Sequence, residues 1–175
     1  LPGGDDGDLV RLTAWAAMAA ARLGGAGWAV TAVRRTSDAD SIGIDDDSRV
    51  AAALASATHI LSSVPPDGDG DPVLARYARA IAAAPAQWSG YLSSTGVYGD
   101  TAGAWVDEGA PIRGGEGRGG RRAAADRSWC AIRPDIRVFR LPGIYGPGRS
   151  ALDRVADAAW ARIERNGVRG RTVTL

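Results

Sequence analysis

The sequence predicts an α/β protein whose parallel sheet is covered by helices on both faces. Short apolar runs alternate with longer helical patterns along the chain, which is the order that parallel sheets require. The runs are apolar throughout, as expected for strands buried on both sides. Several runs stop abruptly at Ser, Thr, Gly or Pro, and open α/β sheets present polar groups to ligands at such strand ends.

The N-terminal half contains two predicted helices and two predicted strands. An Ala-rich helix from Thr13 to Leu23 stops at Gly24-Gly25, because glycine is favoured just beyond a helix, and a strand runs from Trp28 to Val33. Ser48 is the predicted N-cap of a helix through Ser56. A buried strand from Thr58 to Val64 is closed by Pro65-Pro66, with His59, the only histidine, at its entry.

The C-terminal half completes the alternating pattern. Asp71-Pro72 has the N-cap and first-turn chemistry of a helix that runs towards Ala84. The other predicted elements are a strand from Trp88 to Ser94, a helix from Ala123 to Ala131, a strand from Ile136 to Leu141 and a helix from Ser150 to Arg165. Right-handed crossovers place the loops after the strands at one edge of the sheet, where a nucleotide would lie.

Length and composition indicate one globular domain that spans residues 1–175. The 175 residues suffice for a single core, and 45% are apolar while 23% are charged. We find no apolar run of about 18 residues, which argues against a membrane span. The first residues are acidic, unlike a signal peptide, and we therefore expect a cytoplasmic protein.

Residue usage excludes several kinds of chemistry. All 21 basic residues are arginine, so no Schiff-base amine is available. A single cysteine, Cys130, excludes an intramolecular disulfide and a thiolate zinc cluster. The segment from Gly90 to Gly96 does not fit the nucleophile elbow of a Ser-His-Asp hydrolase. Acidic residues are interspersed with the arginines and aromatic residues are not grouped with them, so we expect no nucleic-acid partner.

Two strand ends resemble those of a known enzyme group. Residues 91–100 read YLSSTGVYGD and residues 140–149 read RLPGIYGPGR. Both resemble the extended short-chain dehydrogenases, the NAD-dependent epimerase/dehydratase group, and residues 57–74 resemble its atypical, reductase-like branch. The resemblance implies a Rossmann-like NAD(P)-binding domain and a nucleotide-sugar-like or other hydroxyl/carbonyl substrate. Ser94 would hydrogen-bond the reacting oxygen.

The same resemblance implies the cofactor site. Arg34 and Arg35 follow a strand end that lacks Asp and Glu, which is similar to the NADP-preferring pattern because a guanidinium pairs with a 2′-phosphate. NADP is thus slightly favoured over NAD, although two exposed loop arginines would look the same. The other implied cofactor-binding residues are Ser63, Val64, Pro65, Pro142, Gly143 and Ile144.

The sequence departs from the family pattern at two places. Residues 11–16 lack glycine where the phosphate-binding fingerprint belongs. Arg118 and Arg122 occupy the positions of the family's Tyr-x-x-x-Lys pair. Arginine stays protonated, so Arg118 cannot be a general base, whereas Arg122 could still hold a ribose or phosphate.

Several interpretations stay open from the sequence alone. The chain is expected to lack the C-terminal substrate region that the family has, and to be inactive in this form or to be an enzyme fragment. A noncatalytic nucleotide-sensing or protein-interaction domain is the alternative, and a homodimer is also open. The glycine-rich stretch from Gly114 to Gly120 is predicted to be a mobile loop, because glycine disfavours a helix start.

Overall fold

A computed structural model describes residues 21–143. The contacts divide the chain into two compact units, residues 1–140 and 141–175, and nearly all described residues lie in the first. The strands are β1 (Ala32–Arg34), β2 (Ser41–Gly43), β3 (His59–Ser62), β4 (Trp88–Ser94) and β5 (Arg137–Leu141). The helices are α1 (Asp47–Ser56), α2 (Pro72–Ala83) and α3 (Gly117–Ile132), with a 3₁₀ turn, η1 (Thr95–Tyr98), and helical residues at 21–25.

The described strands form two sheets that match parts of one doubly wound order. β1 pairs with β2 in parallel, β3 pairs with β4 in parallel, and β5 lies on the other side of β4. In the order 3-2-1-4-5-6, β2 and β1 correspond to positions 3 and 2, and β3, β4 and β5 to positions 4, 5 and 6. Residues 21–143 hold no strand for position 1. The predicted Rossmann-like α/β class is confirmed.

Local capping chemistry explains where the helices begin. Asp71 and Pro72 start α2 as predicted. The cap of α1 was predicted wrongly: Asp46 takes that place, since its carboxylate accepts hydrogen bonds from the Arg49 amide at 3.1 Å and the Ser48 hydroxyl at 2.9 Å. Aspartate in this position offers a charged acceptor to the free amides of the first turn.

The strand predictions were accurate for the longer strands. β4 has the predicted bounds and His59 opens β3, whereas β1 begins at Ala32 and not at Trp28. β2 was missed, because three residues are too few to show a pattern. Residues 13–20 and the predicted helix from Ser150 to Arg165 lie outside the described residues.

The core of the described unit lies on one face of the sheets. It joins α1, α2 and α3 to strands from both sheets, and its buried residues are Ile42, Val50, Leu74, Tyr77, Ile81, Tyr91, Ala125 and Trp129. Neighbouring strand residues point to the other face, where Leu61 is 49% and Phe139 is 41% exposed. The described helices α1, α2 and α3 therefore cover the sheets on one face.

Asp71 connects three elements of this core. One carboxylate oxygen accepts the amides of Val73 and Leu74 at 2.9 and 3.0 Å and so caps α2. The other accepts the indole N–H of Trp129 on α3 at 2.8 Å. Trp129 is fully buried and stacks on Tyr91 of β4, with ring centroids 5.4 Å apart. Burial raises the pKa of Tyr91 to about 12, so its hydroxyl stays neutral in the core.

Close backbone packing explains the glycines before and within the first turn of α3. The amide of Gly114 donates to the carbonyl of Val97 at 2.7 Å, which joins this segment to η1. A Cβ on Gly119 would lie 2.5 Å from the carbonyl oxygen of Gly114 and 2.8 Å from that of Gly96. The prediction that the helix begins only at Ala123 was wrong, because these glycines allow α3 to begin at Gly117 against η1.

Replacing Asp71 with alanine should lower the free energy of unfolding by about 2–4 kcal/mol, since it removes a helix cap and leaves the buried indole N–H of Trp129 without an acceptor. Urea unfolding followed by circular dichroism measures this loss. Asp46→Ala is the matched control, because Asp46 caps α1 near the surface and holds no buried donor; about 1 kcal/mol is expected. Equal losses in the two variants would contradict the connecting role of Asp71.

Replacing Gly119 with alanine should destabilise the protein by about 1–3 kcal/mol, because the new methyl group meets two carbonyl oxygens. The sign is informative, since the same change in an open helix stabilises by roughly 0.5–1 kcal/mol. The midpoint of urea unfolding reports the change. Gly68→Ala serves as control because no heavy atom lies within 4 Å of its added Cβ. A stabilised Gly119→Ala variant would refute the close packing of α3 on η1.

Candidate functional site

The candidate site lies at the carboxyl ends of the parallel strands. Parallel pairing fixes the direction of β1 with β2 and of β3 with β4, so the loops after Arg34, Ser62 and Ser94 leave at the ligand-binding ends of their sheets. Ser62 lies opposite Tyr91, and β4 continues past β3 to Ser94. These three strand ends carry most of the predicted site residues.

Arg34 and Arg35 at the end of β1 differ in whether a carboxylate pairs with the guanidinium group. The Arg34 guanidinium pairs with the Asp38 carboxylate at 2.8 Å, and both side chains are partly exposed. Arg35 is exposed, and its side chain has no partner among residues 21–143. A hydrogen bond from the Ser41 hydroxyl, followed by the Asp40 amide and Arg34, lowers the pKa of Asp38, so the carboxylate stays charged near neutral pH.

The end of β3 leads into a half-buried loop. Ser63, Val64 and Pro65 are all partly exposed, as a segment that contacts a ligand requires. The preceding hydroxyl of Ser62 is buried without a hydrogen-bond partner among the described residues. Such an orphaned group is uncommon in folded proteins and marks a place where a ligand or water could supply the partner.

An open pocket of about 350 Å³ lies beside the later part of the same loop. Three carboxylates line it, those of Asp67, Asp69 and Asp71, and Asp71 already caps α2 and holds Trp129. The only cation of its lining, Arg76, pairs with Asp45 and Asp47. This electrostatic environment disfavours a pyrophosphate.

Ser93 and Ser94 at the end of β4 face different partners. The buried Ser93 hydroxyl donates to Asp126 of α3. Ser94 is half-buried, and its hydroxyl oxygen accepts the amide of Gly96 at 3.1 Å, which caps η1. The hydroxyl proton of Ser94 has no acceptor within residues 21–143, so it is available to a ligand oxygen. This geometry agrees with the predicted hydrogen-bonding role of Ser94 and does not test it.

A buried ion pair that the sequence did not reveal holds β5 to this region. Arg140 donates to the Asp126 carboxylate at 3.1 Å, to the Tyr98 hydroxyl at 3.0 Å and to the Glu108 carbonyl at 3.1 Å. Asp126 is 1% and Arg140 18% exposed at the side chain. The available signal was an arginine in β5 at the same alternating position as the partly buried Val138. Tyr98 is buried, and its hydroxyl accepts this hydrogen bond from Arg140.

Arg122 reaches β4 beside the serines. Its guanidinium donates to the carbonyl of Leu92 at 3.2 Å and lies 3.4 Å from the Tyr91 hydroxyl. The structure thus brings Arg122 next to the strand that carries Ser94, whereas Arg118 is exposed in the first turn of α3. These contacts use the Nη1 donor of Arg122, so a ligand would compete with the protein for that group.

The remaining predicted cofactor residues stay predictions. Pro142 and Gly143 are exposed and belong to the second unit, and Ile144 lies outside the described residues. Within residues 21–143, no group of His, Cys, Asp and Glu is arranged to bind a metal ion. No helix in the same range has the length and apolar character needed to cross a bilayer.

The solved structures that are similar to this chain include the following two. One is a conserved protein of unknown function from Silicibacter pomeroyi DSS, with 40% identity, a TM-score of 0.66 and coverage of 74% of this chain and 50% of that one. The other is a candidate NAD-dependent epimerase/dehydratase from Methylobacillus flagellatus, with 26% identity, a TM-score of 0.61 and coverage of 90% and 58%.

The chain therefore spans between half and three fifths of these proteins. No family model matches the sequence, and no curated protein matches it. The described residues have the Rossmann-like α/β fold, and the chain is similar in structure to a candidate NAD-dependent epimerase/dehydratase.

Proposed function

We propose that this chain is an NAD(P)-binding domain of the epimerase/dehydratase or reductase type, with NADP as the preferred cofactor. The observation that carries the proposal is the set of groups at the strand ends. Within residues 21–143 these are the unpaired guanidinium of Arg35, the half-buried loop 63–65 and the Ser94 hydroxyl, whose proton has no acceptor. Similarity to a candidate NAD-dependent epimerase/dehydratase supports it.

The residues present fit a dinucleotide in part. Arg35, assisted by Arg34, would bind the 2′-phosphate of NADP, because a guanidinium forms strong charge-assisted hydrogen bonds with phosphate. The loop from Ser63 to Pro65 would lie along the cofactor next to the buried hydroxyl of Ser62, which has no hydrogen-bond partner in the described part of the chain. The fingerprint position at residues 11–16 lies outside the described residues and supplies no glycine.

The chemistry proposed for the site is limited to binding and orientation of the reacting oxygen. A bound nicotinamide supplies or accepts hydride at a carbon that carries a hydroxyl or keto oxygen. Ser94 would donate a hydrogen bond to that oxygen, and Arg122 would add positive charge beside it. The substrate would be a nucleotide-sugar-like or other hydroxyl/carbonyl compound.

A noncatalytic nucleotide-sensing domain is the second candidate, and one observation favours it. The two positions where the family carries its tyrosine and lysine hold Arg118 and Arg122, neither of which can accept a proton at neutral pH. Tyr91 and Tyr98, the phenols that flank Ser94 in the chain, are both buried, and Tyr98 is hydrogen-bonded to Arg140. A domain with these features could bind a dinucleotide without turning it over.

Titration of the purified chain with NADPH and NADH, followed by quenching of tryptophan fluorescence, tests cofactor binding. We expect saturable quenching and tighter binding of NADPH. Arg35→Gln should weaken NADPH binding by about tenfold, the loss of one charge-assisted contact of roughly 1.4 kcal/mol, and leave NADH binding unchanged.

Arg79→Gln is the matched control, because Arg79 is an exposed arginine on α2, away from the strand ends. The control should bind both nucleotides like the unchanged protein. Absence of binding by either nucleotide up to about 1 mM, which corresponds to only ~4 kcal/mol, would refute the proposed function.

A further inference from the structure

We propose that Asp38 is a specificity-determining residue that limits the preference for NADP over NAD by competing with the 2′-phosphate for Arg34. The inference rests on the proposed function. The sequence shows no acidic residue at the end of β1, but the turn after β1 brings the Asp38 carboxylate back to the Arg34 guanidinium.

The pair is held in place from both sides. The carbonyl of Arg34 accepts the amide of Ile44 at 2.7 Å, so the arginine backbone is fixed in the β1–β2 sheet. The other carboxylate oxygen of Asp38 accepts the Ser41 hydroxyl at 2.7 Å and the Asp40 amide at 3.0 Å. The carboxylate is therefore a built part of the turn, oriented with one oxygen on Arg34.

The two cofactors respond oppositely to this carboxylate. The 2′-phosphate of NADP is a dianion that needs the same guanidinium and is repelled by the adjacent carboxylate. The 2′-hydroxyl of NAD is a hydrogen-bond donor, which a carboxylate can accept. Arg35, which has no partner among the described residues, keeps a cation for the phosphate. Asp38 thus lowers the affinity for NADP without removing it.

Asp38→Asn is the test substitution. Asparagine keeps the side-chain oxygen that accepts from Ser41 and Asp40, so the turn is retained while the charge on Arg34 is released. NADPH should bind about three- to tenfold tighter, a modest factor because water screens both exposed groups, and NADH should bind equally or more weakly. Asp40→Asn is the control: it removes the same charge two residues away without touching Arg34.

The outcomes separate the inference from the proposed function. Equal tightening of NADPH in both variants would indicate a general charge effect, and unchanged NADPH binding in Asp38→Asn would show that Asp38 does not compete; either result overturns the inference. If neither dinucleotide binds the unchanged protein, the proposed function fails. In that case the inference is tested with adenosine 2′-phosphate and, for comparison, adenosine, whose binding is followed by shifts of the backbone amide signals. The inference stands only if Asp38→Asn binds adenosine 2′-phosphate more tightly than the unchanged protein does.

Discussion

The two oxygens of the Asp71 carboxylate hold the described structure together. One oxygen caps the N-terminus of α2, where the loop after β3 ends. The other accepts the indole N–H of Trp129 on α3, and Trp129 stacks on Tyr91 of β4. The loop after β3 and the end of β4 are thus tied to the same buried contact. The candidate site consists of these strand ends and loops. Its geometry therefore depends on the contacts of Asp71, although Asp71 has no part in the proposed chemistry.

Most positive charge near the site is already engaged within the protein. Arg34 pairs with Asp38, Arg122 donates to the backbone of β4, and Arg140 pairs with the buried Asp126. Engaged arginines orient the loops but offer less to a ligand, because phosphate must compete with existing partners. If the proposed nucleotide binds here, this competition would make its affinity moderate.

The sequence predicted the fold where the signals were local. Asp71-Pro72 and the run from Trp88 to Ser94 carry their own capping and strand patterns, and both appear as predicted. Two ion pairs could not be predicted from local patterns. The turn after β1 brings Asp38 to Arg34, and the packing of α3 on β5 brings Asp126 to Arg140. The start of α3 was missed for a related reason: glycine propensity disfavours a helix there, but close contact with η1 requires glycine.

The most direct measurement is the change in backbone amide signals of the isotope-labelled chain during titration with NADPH. Binding at the carboxyl edge predicts shifts concentrated at residues 34–38, 62–66 and 93–96, the ends of β1, β3 and β4 and the loops that follow them. Shifts centred instead on His59 and Trp88, where β3 and β4 begin, would contradict a cofactor site at this edge. Absence of any shift would contradict nucleotide binding itself.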